Sequence, residues 1–205
     1  MIITDPNAIE ARSMEIIKSE LKTDIPEENK AVVKRVIHCT ADFDYAENLA
    51  FSDGACAIAI EALKNGCDIV TDTNMAKSGI NKAAAAKLGC EIHCFMSDPD
   101  IAEIAKERGC TRAVASMEKA AKLGKPVIFV VGNAPTALLS LREMIDAGKI
   151  KPELVIGVPV GFVNILESKN AIMEAGVPYI VAKGRKGGSN VAAAIVNALM
   201  YQITR

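Results

Sequence analysis

From about residue 53 onward, short apolar runs alternate with helical stretches, and few architectures can satisfy that alternation. The apolar runs are Cys67–Thr71, Glu91–Met96, Pro126–Val131, Leu154–Val158 and Pro178–Ala182. Between and around them, helical periodicity covers about 53–65, 81–88, a stretch capped by Ser97/Asp98-Pro99, 111–123, 134–147, 163–175 and a long segment from about 188. Strands apolar on both faces, interleaved with helices, indicate a parallel sheet covered on both sides. The pattern predicts an α/β fold: a single doubly wound, mostly parallel sheet with helices on both faces. No Pro/Gly/Ser linker or low-complexity segment interrupts the chain, so residues 1–205 read as one domain, with 1–50 as an N-terminal helical addition.

Two helices make up that addition. Asp5-Pro6 opens the first, with Asp as N-cap and Pro at the first helical position. Its apolar stripe is Ile9, Ile16, Ile17 and Leu21, and Ser13 falls on the same stripe with Arg12 beside it. Pro26-Glu27-Glu28 opens the second, whose buried face is Val32, Val33, Val36 and Ile37, and which ends near His38.

Composition excludes several classes. A formal net charge of −1 gives no general basic field for nucleic acid, so a polyanion would need a local cluster of Lys and Arg. Cysteines at 39, 56, 67, 90, 94 and 110 form no Cys-x-x-Cys pair and read as small buried hydrophobes in a reducing cytosol. Cys90-Glu-Ile-His93-Cys94 lacks the second ligand pair of a zinc site and reads as a strand. Neither a resident metal nor a cofactor is expected. The absence of a signal pattern and of any apolar run of membrane-spanning length predicts a cytoplasmic protein away from the membrane.

Only two histidines occur. One, His38, lies in Arg35-Val-Ile-His-Cys-Thr-Ala-Asp-Phe-Asp-Tyr45 with Thr40, Asp42 and Asp44 close by. Histidine ordinarily titrates near cellular pH, so the cluster reads as proton-transfer machinery, or as a helix-end histidine among solvated acids.

Ligands of doubly wound sheets bind beyond the carboxyl ends of the strands. The loops there are Thr71–Met75, Gly132–Thr136, Gly157–Gly161 and Lys183–Asn190. Gly184-Arg-Lys-Gly-Gly-Ser189 combines glycines, two cations (Arg185, Lys186) and the Ser189 hydroxyl at a helix start, which suits an anion. Its spacing is neither a P-loop nor a dinucleotide fingerprint, and the alternative to anion binding is a flexible capped turn with solvated charges. Asn133 and Thr136 can bond a ligand or cap a helix. Arg112 sits at a helix start, where a cation is disfavoured unless an anion joins it. Ser13 has no basic partner nearby and no Gly-x-Ser-x-Gly elbow exists, so it reads as a ligand contact or as a hydroxyl bonded to its own helix. On residues alone, an enzyme binding a nucleotide or sugar phosphate at 184–189 stays open.

In order along the chain, Ile9-Glu-Ala-Arg-Ser13, Arg35-Val-Ile-His38, Thr40-Ala-Asp-Phe-Asp-Tyr45, Thr71-Asp-Thr-Asn-Met75, Gly132-Asn-Ala-Pro-Thr136, Gly157-Val-Pro-Val-Gly-Phe162 and Gly184-Arg-Lys-Gly-Gly-Ser189 resemble the precorrin-8X methylmutases and the cobalt-precorrin-8 methylmutases. The resemblance spans nearly the whole chain. It implies an isomerase of cobalamin biosynthesis that moves a methyl group from C-11 to C-12 of a corrin precursor, giving hydrogenobyrinate or cobyrinate. It further implies a homodimer with the tetrapyrrole bound near the subunit interface, His38 as catalytic proton donor or acceptor, and Ser13 as a substrate contact. The acetate and propionate rim of such a substrate would explain Arg12, Arg112, Arg185 and Lys186, with Asn133 and Ser189 as further binding residues. A concerted methyl migration needs no nucleophile, redox cofactor or catalytic metal, which suits a chain without a triad or nucleotide fingerprint. A non-catalytic tetrapyrrole carrier is the alternative from the binding class.

Overall fold

The computed structural model describes residues 2–205. Two helices, α1 (Pro6–Glu20) and α2 (Glu27–Thr40), lead through a short α3 (Tyr45–Asn48) into strand β1 (Leu49–Phe51). Then follow α4 (Ala55–Lys64), β2 (Asp68–Thr71), α5 (Asn74–Gly79), α6 (Lys82–Lys87), β3 (Ile92–His93), α7 (Pro99–Arg108) and α8 (Arg112–Ala120). The chain closes with β4 (Val127–Val131), α9 (Pro135–Asp146), β5 (Leu154–Gly157), α10 (Ile165–Met173), β6 (Tyr179–Ala182) and α11 (Ser189–Thr204). The strands form one six-stranded sheet in the order β1-β6-β5-β4-β2-β3. All neighbours are parallel except the edge pair β1–β6, where Leu49 faces Ala182.

Side chains alternate across a strand, so an all-apolar run feeds both faces of the sheet. Ile128, Val130, Leu154, Ile156, Ile180 and Ala182 join the core beneath α2, α4 and α11. Phe129, Val131, Val155 and Val181 join the opposite core, with Met117 of α8, Leu138 and Leu141 of α9, and Ile172 of α10.

Val32, Val33, Val36 and Ile37 are all buried, as their spacing predicts, against the alanine- and valine-rich face of α11. Each contributes roughly 1.5–3 kcal/mol of gross transfer free energy. The last turn of α2 is therefore carried on a firmly packed helix. The helical segment before residue 50 shares this core with the strands, and β1 begins inside it at Leu49.

Some local expectations are corrected. Of the proposed α1 stripe only Ile17 is buried; Leu21 is partly covered, and Ile9 and Ile16 are exposed. The cause is position: α1 packs on α2 at the rim of the molecule rather than over the sheet. β3 is two residues long, not six. The edge strand β1 and the short helices α3 and α5 leave no pattern in the sequence, because three to six residues are too few to establish a period.

The order of strands reverses between β2 and β4, because β3 lies outside β2 while β4, β5 and β6 extend the other way. This is the point where ligands usually enter such sheets. Here the buried Asp72 at the end of β2 bridges it. One carboxylate oxygen accepts the Gly132 N–H (2.8 Å), and the other accepts those of Asn133 (2.8 Å) and Ala134 (2.7 Å).

Candidate functional site

The C-terminal turn of α2 ends sharply. Ala41 takes a left-handed conformation (φ 53°) and its N–H donates to Ile37 O at 2.7 Å. The Thr40 hydroxyl donates to Val36 O (2.8 Å) and accepts from Asp42 N (3.2 Å), while Asp44 N donates to Asp42 Oδ1 (3.0 Å). These bonds turn the chain back on itself just after His38. The half-buried His38 ring lies in an open groove of about 410 Å³ with Ser13, Ile16, Ile17 and Glu20 of α1 and with Ile37, Ala41 and Phe43. Among the described residues the ring makes no hydrogen bond, so both nitrogens are available to a ligand. Ser13 faces the same groove and its hydroxyl donates to Ile9 O (2.8 Å), leaving its oxygen free to accept. A second groove of about 600 Å³ adjoins the first, sharing Glu20 and Phe43 and adding Leu21, Thr23, Asp44 and Glu47. The exposure of Ile16 follows from this arrangement, since it forms part of the groove wall.

Asp42 and Asp44 do not act as partners of the imidazole. Both are engaged by Lys186 from the glycine-rich loop before α11, at 2.5 and 2.7 Å. The Lys186 hydrogen bond holds the Asp42 carboxyl below its ordinary range, and the two carboxylates raise the Lys186 ammonium. The clasp brings the loop 184–189 beside the segment that follows His38, 142 residues earlier in the chain.

The other loops at the carboxyl edge are stitched together. Ser189 and Thr73 share a hydroxyl–hydroxyl bond of 2.8 Å. A Cβ on Gly132 would lie 2.8 Å from Ser189 Cα, so only glycine permits this approach of β4 to the start of α11. Thr111 and Thr136 bond at 2.9 Å, which ties the start of α8, where Arg112 stands, to the loop carrying Asn133. Arg185 stacks over Phe162 (5.5 Å), and Arg185 O accepts from Gly161 N at 3.3 Å.

The expected cations thus fall into two groups. Arg12 is exposed and paired with Glu15 at 3.0 Å, and Lys186 is occupied by Asp42 and Asp44. Arg112 and Arg185 are exposed, with no carboxylate within 4.0 Å among the described residues. The structure brings His38 and Ser13 into one groove and sets Lys186, Arg185 and Ser189 in the adjacent loop. Arg112 and Asn133 belong to the two segments that the Thr111–Thr136 bond joins, further along the carboxyl edge.

Two residues that organise these loops, Asp72 and Lys169, are not among the site residues that the sequence points to. Asp72 lay in a loop read as possible pocket lining and proves to be a buried acceptor of three amides. Burial raises its carboxyl while those amide bonds lower it, the first effect being the larger. Lys169 of α10 is buried (1% exposed) and donates to Gly184 O (2.8 Å) and Lys186 O (2.9 Å). Its signal was present: positions 165, 169 and 172 mark the inward stripe of α10, and a lysine on such a stripe must find acceptors inside.

A family model described as precorrin-8X methylmutase matches residues 8–202. The cobalt-precorrin-8 methylmutase of Salmonella typhimurium is 46% identical, over 98% of this chain and 97% of that protein. The precorrin-8X methylmutase of Pseudomonas aeruginosa is 38% identical, over 96% of each. The solved structure of the precorrin-8X methylmutase from Thermus thermophilus superposes with a TM-score of 0.87 at 40% identity, covering 95% of this chain and 96% of that one.

Proposed function

The chain belongs to the precorrin-8X methylmutase family, and on that premise we propose that it is the isomerase that moves the C-11 methyl group of the precorrin-8 macrocycle to C-12. The observation that carries this reading is the groove in which a histidine with an unbonded ring and a serine hydroxyl face a partly apolar wall. The cobalt-containing substrate is favoured, because the Salmonella relative named for it is 46% identical and the Pseudomonas relative named for the metal-free substrate 38%. Its product would be cobyrinate, against hydrogenobyrinate from the metal-free form.

A methyl shift between adjacent ring carbons is a migration within one molecule, so the protein's work is to hold the ring and control its electron distribution. In this reading His38 gives a proton or a hydrogen bond to the macrocycle as the methyl group moves. With cobalt on the pyrrolic nitrogens, the hydrogen bond goes to another position of the conjugated system. Ser13 orients the ring from the opposite wall. Arg185 and Arg112, whose guanidinium groups have no carboxylate partner, meet acetate and propionate groups of the rim, with Asn133 and Ser189 as polar contacts. Arg12 and Lys186 act on the rim only by exchanging their present carboxylate partners for the substrate's.

The test is the absorption change that accompanies the altered conjugation, followed with metal-free and cobalt substrates. His38→Asn should lower kcat by roughly 100- to 10,000-fold, the usual range for a positioned acid or base. Undiminished turnover would remove His38 from the mechanism. A binding protein would return the tetrapyrrole with its spectrum unchanged, and a nucleotide enzyme would show calorimetric heat with nucleotides and none with a corrin.

The functional unit in this reading is a homodimer with the site close to the interface. Val160, Phe162, Val163 and Leu166 expose apolar side chains next to Arg185, a cluster unsuited to permanent contact with water. Sedimentation at micromolar concentration should give twice 21.7 kDa, and Phe162→Ser/Val163→Ser should shift the equilibrium toward one copy. A wild-type chain sedimenting at 21.7 kDa would reject the dimer. The six cysteines are all free thiols, which supports a reducing, cytoplasmic location. Among the described residues no helix is long and apolar enough to cross a membrane.

A further inference from the structure

A lysine is rarely buried without a carboxylate, and Lys169 is such a lysine. Its ammonium donates to Gly184 O and Lys186 O, and among the described residues no acidic side chain lies within 4.0 Å of it. Burial pushes the ammonium down to about 8, so the fold keeps this group against an opposing desolvation cost.

The loop it holds is rich in glycine. Gly184 (φ +75°), Gly187 (φ +157°) and Gly188 (φ +130°) all occupy backbone regions that favour glycine. Two fixed carbonyls determine how this loop faces its surroundings. A trans peptide is planar, and its N–H points opposite to its C=O. With Gly184 O and Lys186 O turned inward to Lys169, the N–H groups of Arg185 and Gly187 point away from it. Among the described residues neither N–H has an acceptor, whereas the next amide, Gly188 N, is bound to Val158 O at 2.8 Å. The same turn carries the Arg185 guanidinium, which lies over the Phe162 ring and has no carboxylate within 4.0 Å among the described residues.

We propose that Lys169 is a positioning residue for substrate binding: it orients the Gly184–Gly187 turn so that the amides of Arg185 and Gly187, with the Arg185 side chain, receive one carboxylate of the macrocycle rim. The inference rests on the tetrapyrrole reading above. Lys169 touches no substrate atom; it acts through the peptide planes. Lys186, tied outward to Asp42 and Asp44, anchors the same turn to the segment after His38, so the turn is held from both sides.

The test compares wild type, Lys169→Met and Lys169→Arg. With the substrate that wild type turns over, Lys169→Met should raise KM about tenfold, the equivalent of one lost rim contact, with kcat within about threefold. Lys169→Arg should recover part of that loss. Amide hydrogen exchange across residues 183–188 should be faster in Lys169→Met, while the exchange of α2 and β4 stays as in wild type. Unchanged KM together with unchanged exchange in that loop would overturn the proposal, and so would a fall in kcat without a change in KM.

If Lys169→Met does not fold, wild-type protein titrated with hydrogenobyrinic acid gives the answer. Slowed exchange at Arg185 and Gly187 supports the proposal, and slowing elsewhere but not there refutes it. If wild type turns over neither substrate form, the methylmutase reading fails, and the carboxylate assignment with it. The exchange comparison still decides whether Lys169 orders the turn.

Discussion

Replacing Gly187 with alanine tests how tightly the turn before α11 is built. A Cβ at this position would lie 2.1 Å from Val158 O, 2.8 Å from Val158 C and 2.9 Å from Pro159 O, all of them backbone atoms that cannot swing aside. Reaching ordinary contact requires the turn to move by about 1 Å. That movement breaks the Gly188 N–H to Val158 O bond, worth about 1 kcal/mol, and weakens both Lys169 carbonyl bonds, worth about 2 kcal/mol if half their strength is lost. Placing a side chain at φ +157° adds about 1–2 kcal/mol of backbone strain. The expected loss is about 4 kcal/mol, or roughly 8–16 °C in Tm for a chain of this size. Urea titration monitored by circular dichroism measures it. Gly176→Ala is the control, because that glycine also has positive φ (+69°) but its Cβ would meet nothing within 4 Å. The control should lose only about 1 kcal/mol. Equal losses in the two variants would refute the packing argument, leaving only the general preference for glycine at positive φ.

The remaining predictions concern charge and loop order. Asp72→Ala should expose the Gly132 amide to rapid hydrogen exchange and cost about 2–3 kcal/mol, since one buried donor loses its acceptor outright while Asn133 and Ala134 can turn to water. Protection of Gly132 equal to wild type would contradict this. The Lys186 clasp has a defined pH window. The lowered Asp42 carboxyl stabilises the fold above its ordinary 3.8, and that contribution is lost as pH falls through its folded value. The raised Lys186 ammonium contributes below its ordinary 10.5, and its contribution is lost as pH rises through its folded value. Lys186→Met should therefore lower the urea midpoint at pH 7 and by less at pH 3. A difference that is the same at both pH values would mean that the ion pair is not its source. The effect should be small, because both partners are well exposed to solvent.

Sequence alone determined the sheet and its two covered faces. Strands buried on both sides need unbroken apolar runs, and helices need a period near 3.6, so both are written locally in Val127–Val131 and in Val32, Val33, Val36 and Ile37. It also singled out His38, because an imidazole at the end of a helix can be read from spacing, whereas Ser13 falls on a predicted stripe of which only Ile17 is buried. Tertiary structure alone decided which charges pair. Asp42 and Asp44 are neighbours of His38 in sequence, yet they bind Lys186 from the far end of the chain. Asp72 closes the sheet's switch point by accepting amides 60 to 62 residues away. The interior that Lys169 enters exists only once α10 lies against β5 and β6. Apolar burial is specified by a repeating pattern within one segment. The partner of a charge is whichever opposite group the folded chain brings within a few ångströms, and no local pattern records that distance.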